Sequence, residues 1–407
     1  MAAAKLPLLA HTTSRFARRS LYAALVLLAC LHGTASRELS SRENVREGFA
    51  PVEYTDCKSI VTMDDIMATC GHLINPSGLV YQPSIGKLYA VGQEYIMHLN
   101  ETRTDIGDYE YHISGCYKGS KLSLGRGDAE AAAGLDFDLP EPDRDDRRWH
   151  KNWRILSNLK HYIMTVEENY AEPVVYLVDT TKLGDGPQRS DRATAAKFRI
   201  PRYPRGLEGL AFVPDLYNDI YIGTLFMGTQ TKNIQACKIP LADWSLPAVC
   251  NDFEAHFSVE IDMMEFDPTF KVQDGAYGAL LVGSEQNNAA VYVDPYLVEQ
   301  GKDNDVTLTE PFELLSGAVD GIPMKNGIEG IQIFDNRIFF AIDRNSPRTQ
   351  GVVTCKFTKP KSMARRTHGW HTYDTSQSSV DYRGERTYWP RRRSDETDET
   401  CKNCGRD

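Results

Sequence analysis

Apolar residues along this chain come in short runs, and the runs recur in a fixed order. Four stretches open the pattern: 77–83 (Ser-Gly-Leu-Val-Tyr-Gln-Pro), 206–214 (Gly-Leu-Glu-Gly-Leu-Ala-Phe-Val-Pro), 262–268 (Asp-Met-Met-Glu-Phe-Asp-Pro) and 327–334 (Gly-Ile-Glu-Gly-Ile-Gln-Ile-Phe). Each reads as a short strand, mostly closed by a Pro or Asp turn. A second apolar run follows each of them, at 87–92, 219–223, 278–283 and 337–342, and a third at 95–99, 233–239, 289–294 and 351–357. A fifth unit lies between the first two, with strands at 128–138, 161–166 and 173–179 and a charged link, 141–148, inserted between them. Helical periodicity is almost absent; 241–244 and 296–300 are single turns at most.

A unit of three strands thus repeats every 50 to 80 residues, with turns between. Such a unit cannot bury both faces alone, so the repeat predicts blades stacked about an axis. The expected fold is all-β, a β-propeller of five or six blades spanning 77–360, the sixth drawn from 40–76 and an irregular segment. Two β-sandwiches are the alternative, but the repeat runs across any midpoint boundary. Residues 37–76 form a cysteine-containing lead-in, and the polar, aperiodic stretch 361–407 is expected to be a disordered, charged tail.

The N-terminus supplies an address. A basic stretch ending at Arg18-Arg19 leads into an apolar run from Leu21 to Leu31, followed by small residues at Gly33, Ala35 and Ser36. That layout predicts a secretory signal over 1–36, cleaved near Ala35 or Ser36. The rivals are an uncleaved anchor, although the run is short for a span, and a lipid box at Cys30. Cleavage leaves eight cysteines, an even number that behind a signal reads as disulfides. Cys57 with Cys70 and Cys237 with Cys250 each enclose twelve residues, and local pairing is the simplest expectation. Asn100-Glu101-Thr102 is a glycosylation sequon, expected at a surface strand end.

Charge sharpens the picture. The net charge is −10; the signal carries +4 and the tail +2, which leaves −16 on residues 37–360. A body so acidic argues against nucleic acid as a partner and favours cations, while also serving solubility. Acids recur in the repeat itself. Glu208-Gly209, Glu329-Gly330 and Glu130-Ala131 place a glutamate before a small residue on the first strand of three units. First strands line a propeller's channel, so these carboxylates would converge and need a cation or protons to neutralise them. The alternative is that they point to solvent at the blade mouths. A second set ends the second strands: Glu94, Asn169, Glu285, Asn287 and Asp343. Carboxylate and amide oxygens suit Ca²⁺, and the same residues are ordinary turn formers.

The stretches 77–94, 206–223 and 327–343 resemble the SdiA-regulated and esterase-like phytase propellers, in fragments over 77–357. That resemblance implies an extracytoplasmic propeller with a calcium ion near the axis, with Glu208 and Glu329 at the Glu-Gly positions and Glu94 as the acid closing a second strand. The first unit departs from it, with Ser77-Gly78 in place of Glu-Gly, and the second has Glu130-Ala131. Two functions follow. One is a calcium-dependent hydrolase of phosphate esters, esters or lactones, with Arg205, Lys325 and Arg344 as candidate phosphate clamps. The other is a non-catalytic extracellular propeller that binds a small molecule, a carbohydrate or a protein at one face, any calcium being structural. Membrane attachment requires the N-terminal segment to be retained. No nucleophile elbow, zinc helix, P-loop or dinucleotide fingerprint occurs, and Cys401-x-x-Cys404 and His368-x-x-His371 lie isolated in the tail.

Overall fold

The computed structural model describes residues 49–363, apart from 73, 93–94, 104–108, 119–128, 138–153, 168–173, 184–192, 201–205, 216–219, 241–247, 251–254, 258–259, 273–276, 300–305, 325–326, 335 and 343–347. The signal-like segment, the tail beyond 363, the 141–148 link and the 241–244 turn therefore lie outside the described residues, as do the cysteine and histidine pairs of the tail.

The chain begins with strand β1 (Glu53–Thr62) and helix α1 (Met63–Cys70). Blade one follows as β2 (Gly78–Gln82), β3 (Lys87–Gly92), β4 (Tyr95–Arg103) and β5 (Tyr109–Lys118), and blade two as β6 (Ala129–Gly134), β7 (Tyr162–Glu167), β8 (Val174–Asp179) and β9 (Thr194–Arg199). Blade three is β10 (Leu207–Pro214), β11 (Tyr221–Thr229) and β12 (Asn233–Pro240), edged by two short strands, β13 (Val249–Cys250) and β14 (Ala255–His256). Blade four is β15 (Met263–Lys271), β16 (Tyr277–Ser284), β17 (Ala289–Val293) and β18 (Phe312–Glu313), with helix α2 (Pro295–Glu299) after β17. A small hairpin, β19 (Gly317–Val319) and β20 (Ile322–Met324), turns on Asp320-Gly321, both at positive φ as a two-residue hairpin turn requires. Blade five is β21 (Ile328–Phe334), β22 (Arg337–Ile342) and β23 (Gln350–Thr358). Its outer strand is β1, paired antiparallel to β23 from Glu53 opposite Thr358 to Thr62 opposite Gln350.

The propeller therefore has five blades. Of residues 40–76, expected to help build a sixth, strand β1 instead completes the fifth, because it finds its hydrogen-bond partners on the free edge of β23. The lead-in's apolar residues then cap the ring: Thr62 and Asp65 form a capping box at the start of α1, which buries Met63 and Ile66.

Both faces of each inner strand pair are buried, which is why these strands read as continuous apolar runs. In β3, Leu88 and Ala90 pack toward blade five while Tyr89 and Val91 pack toward blade two. In β22, Ile338 and Phe340 pack toward blade four, and Phe339 and Ala341 toward blade one. The core is accordingly divided into five clusters, each one a seam between neighbouring blades. Burying apolar surface at every seam closes the ring at about 25 cal/mol for each Å² removed from water.

Among the described residues three disulfides are formed: Cys57–Cys355, Cys70–Cys116 and Cys237–Cys250. The local pair in blade three is as the spacing predicts, since β12 and β13 place Cys237 opposite Cys250. Cys57 and Cys70 do not pair with each other. They sit at opposite ends of the β1–α1 unit, so that Cys57 meets Cys355 on β23 and Cys70 meets Cys116 on β5. Asn100 is not at a strand end: it lies within β4 between Lys87 and His112, half-buried, with Oδ1 enclosed.

Candidate functional site at the propeller axis

The five inner strands, β2, β6, β10, β15 and β21, surround the axis. On three of them, at one recurring position, the approach is too close for a Cβ, whereas β6 carries Ala131 and β15 Met263 there. A Cβ on Gly78 would lie 2.5 Å from the Ala132 nitrogen, one on Gly209 2.8 Å from Met264 Cγ, and one on Gly330 2.4 Å from the Ser77 carbonyl oxygen. This accounts for the glycine that follows Glu208 and Glu329.

The glutamates themselves occupy one structural position. The ladder skips a residue between Ala129 and Ala131, between Leu207 and Gly209, and between Ile328 and Gly330, so Glu130, Glu208 and Glu329 are each the extra residue of a β-bulge. All three are half-buried, and Glu208 accepts a hydrogen bond from the Gln230 amide. Register adds a fourth acid. Gly209 pairs with Gly228 on the next strand as Met263 pairs with Gly283, which aligns Asp262 with Glu208 and Ser77 with both. Sequence reasoning passed over Asp262 because no glycine follows it. Asp262 is 6% exposed and accepts from the Glu285 backbone. Burial pushes its carboxyl up, hydrogen bonds from Glu285 oppose this, and the nearby Glu260 charge adds to the rise.

This acid position lies at the upper rim, where the inner strands begin. The turn 285–288 stands at the same rim, bringing Glu285 beside Asp262 with Asn287 exposed. Glu94, Asn169, Asp343 and the candidate clamps Arg205, Lys325 and Arg344 lie outside the described residues. Among the described residues, no group of three or more His, Cys, Asp or Glu side chains is arranged to hold a metal ion.

The cavity is at the other end. Four residues further along the inner strands, about 13 Å from the acid position, all five blades contribute to one axial cavity of about 70 Å³. That volume holds a few waters or a small polar group, well short of a drug-sized ligand. Two aromatic groups face across it: Tyr81 with Phe334, ring centroids 4.6 Å apart, and Phe137 with Phe212 and Phe266, at 6.1 and 6.3 Å from Phe137. Asp136, Glu265, Asp267 and Gln332 are the charged and amide side chains of the lining.

Two of these polar groups come from the period of two in β15, where Glu265 and Asp267 are alternate residues. Gln332 ties three blades together: its Oε1 accepts from the Tyr81 nitrogen at 2.8 Å, and its Nε2 donates to Glu265 Oε1 at 2.6 Å. Asp267, wholly buried, accepts from the Tyr292 hydroxyl at 2.8 Å and from the Thr269 nitrogen and hydroxyl at 3.0 and 2.8 Å. The Lys359 ammonium, just past β23, closes on it at 2.7 and 2.8 Å and also donates to Thr269. Burial raises the Glu265 carboxyl well above its ordinary range; the Gln332 amide opposes this and the Asp267 charge adds to it. Burial and then Asp267 likewise raise the Tyr292 phenol. None of Glu265, Asp267 and Gln332 was a sequence-level candidate. The buried carboxylates in the 262–268 stretch are the signal that could have found them.

No known protein-family profile matches the chain, and neither does any curated protein. Among solved structures, the PQQ-bound form of an aldose sugar dehydrogenase from Streptomyces coelicolor is similar at 11% identity, covering 77% of this chain and 100% of that one, with a TM-score of 0.36. That likeness carries nothing about substrate or cofactor.

Proposed function

We propose that this protein is a non-catalytic β-propeller of the secretory pathway that binds a ligand at the lower mouth of its axial channel. The observation that carries this reading is the cavity to which all five inner strands contribute. Of its three carboxylates, Asp136 accepts from the Ser84 nitrogen, and the other two join neighbouring elements. Asp267 is tied to Tyr292, Thr269 and Lys359, and Glu265 to Gln332. Asp267, held in several bonds and an ion pair, serves the fold and is not free to shuttle protons. Three disulfides support an oxidising compartment, and the signal-like N-terminus supports export. No helix among the described residues is long and apolar enough to cross a membrane.

The reading is tested by screening small molecules for a raised unfolding midpoint of the exported protein, beside the Phe334→Ala variant. Stabilising ligands that lose their effect in Phe334→Ala are expected. Turnover of phosphate esters, esters or lactones, followed by mass spectrometry, overturns it in favour of the hydrolase.

A second reading is favoured by the acids at one bulge position in three blades and by Asp262 in a fourth. Here Glu130, Glu208, Asp262 and Glu329 draw together around a divalent cation, Ca²⁺ by its taste for carboxylate oxygens. An unfolding midpoint raised by calcium, lowered by EDTA, and insensitive to both after Glu208→Gln with Glu329→Gln supports it. An unchanged midpoint with no metal in elemental analysis removes it.

A further inference from the structure

The lower cavity has a definite chemical preference. Its walls are aromatic on two sides, Tyr81 and Phe334 on one and Phe137, Phe212 and Phe266 on the other. Its floor carries Glu265, which is 9% exposed. The neighbouring Asp267 already has its cation, the Lys359 ammonium at 2.7 Å. Glu265 has none. Its Oε1 accepts from Gln332, and among the described residues nothing donates to Oε2. A carboxylate nine-tenths buried, with one oxygen unbonded and aromatic faces around it, is complementary to a cation with apolar flesh. Ring quadrupoles attract the positive charge, and a desolvated carboxylate pairs with it far more strongly than water would allow. An inorganic ion would forgo the aromatic walls, and Glu265, which burial biases toward its protonated form, is stabilised as a carboxylate only by a partner that brings a positive charge.

Building on the proposed ligand-binding role, we propose that the lower axial cavity binds an alkylammonium group, either a free amine or the tip of a lysine side chain. The ammonium sits between the two aromatic walls and donates to Glu265 Oε2. The chain supplies its own precedent, since Lys359 brings the same headgroup to the adjacent carboxylate.

Calorimetric titration of the full exported protein tests this with butylammonium chloride, with butan-1-ol as the uncharged counterpart and sodium chloride as the salt control. Saturable binding of butylammonium and none of butanol is expected. Glu265→Gln, nearly isosteric, is expected to weaken binding by roughly tenfold, and Phe334→Leu, at a half-buried wall position, to weaken it independently. Two further probes, N-acetyl-lysine amide and N-acetyl-norleucine amide, separate the sources. Tighter binding of the lysine amide than of butylammonium assigns the site to a protein partner's side chain, and the reverse to a free amine. Equal binding of butanol and butylammonium, or butylammonium binding untouched by Glu265→Gln, overturns the cation assignment and leaves a ligand-binding propeller standing. Absence of binding by every cationic probe overturns it as well. Chemical conversion of a probe, detected by mass spectrometry, would instead overturn the non-catalytic reading beneath it.

Discussion

Replacing Cys57 and Cys355 with serine removes the covalent tie between the two ends of the ring. The bond joins residues 298 apart in sequence, whereas Cys237–Cys250 joins residues 13 apart. In the chain-entropy account, a cross-link stabilises by restricting the unfolded chain, and the effect grows with the logarithm of the loop. A loop of 298 residues gives about 5.7 kcal/mol at 25 °C, and one of 13 gives about 2.9 kcal/mol. The first figure is a large share of the roughly 5–15 kcal/mol that holds most domains together. Packing adds to the cost, because Cys355 is 1% exposed and its serine replacement would bury a hydroxyl. The assay is urea unfolding of the Cys57→Ser/Cys355→Ser and Cys237→Ser/Cys250→Ser variants, each compared with the parent protein by tryptophan fluorescence. The ring-closing pair should cost about twice as much as the blade-three pair. If it costs less, β1 is not the strand that holds the ring shut, and the topological argument fails.

Four other substitutions test the axial network and the close packing of the inner strands. Glu265→Gln should raise stability at neutral pH: the native protein keeps this proton to higher pH than the unfolded chain, so the wild-type contribution is full below the ordinary carboxylate pKa and is lost as pH rises through the raised value. Denaturant midpoints across about pH 4 to 8 check the sign; a variant less stable at neutral pH and no flatter in profile contradicts it. Lys359→Met should destabilise by about 3–5 kcal/mol, because it strips the cation from wholly buried Asp267, while Tyr292→Phe should cost about 1.5–3 kcal/mol, both read by the same unfolding curves. Gly330→Ala should cost about 1–3 kcal/mol or more by forcing a methyl against Ser77 at the junction of blades five and one; a neutral effect there would show that the inner strands are less closely packed than described.

How much of this was written in the sequence depends on what kind of pairing made it. The inner three strands of each blade are legible because they are local and buried on both faces: 87–92 and 337–342 match β3 and β22 residue for residue. The outer strands are not. β5 alternates half-buried and exposed residues, β13 and β18 have two residues each, and β1 pairs with a strand some 300 positions away. No local period encodes such a partner. The same distinction governs the cysteines, since Cys237–Cys250 is a local hairpin contact and Cys57–Cys355 reports ring closure. At the site, the repeated Glu-Gly drew attention to the upper rim, where register confirms one shared position and adds Asp262. The lower cavity escaped notice because each blade gives it a different residue. Ala133, Phe212, Glu265, Gln332 and Tyr81 share no motif and meet only when the ring is closed.

The central claim is that ligand binds at the lower mouth rather than at the upper rim. Crystals of the protein grown with the best ligand from the stabilisation screen test it most directly. Density between the Tyr81–Phe334 pair and Phe137, within hydrogen-bond reach of Glu265, is the result expected. Density instead among Glu130, Glu208, Asp262 and Glu329, with the lower cavity unchanged, would contradict it.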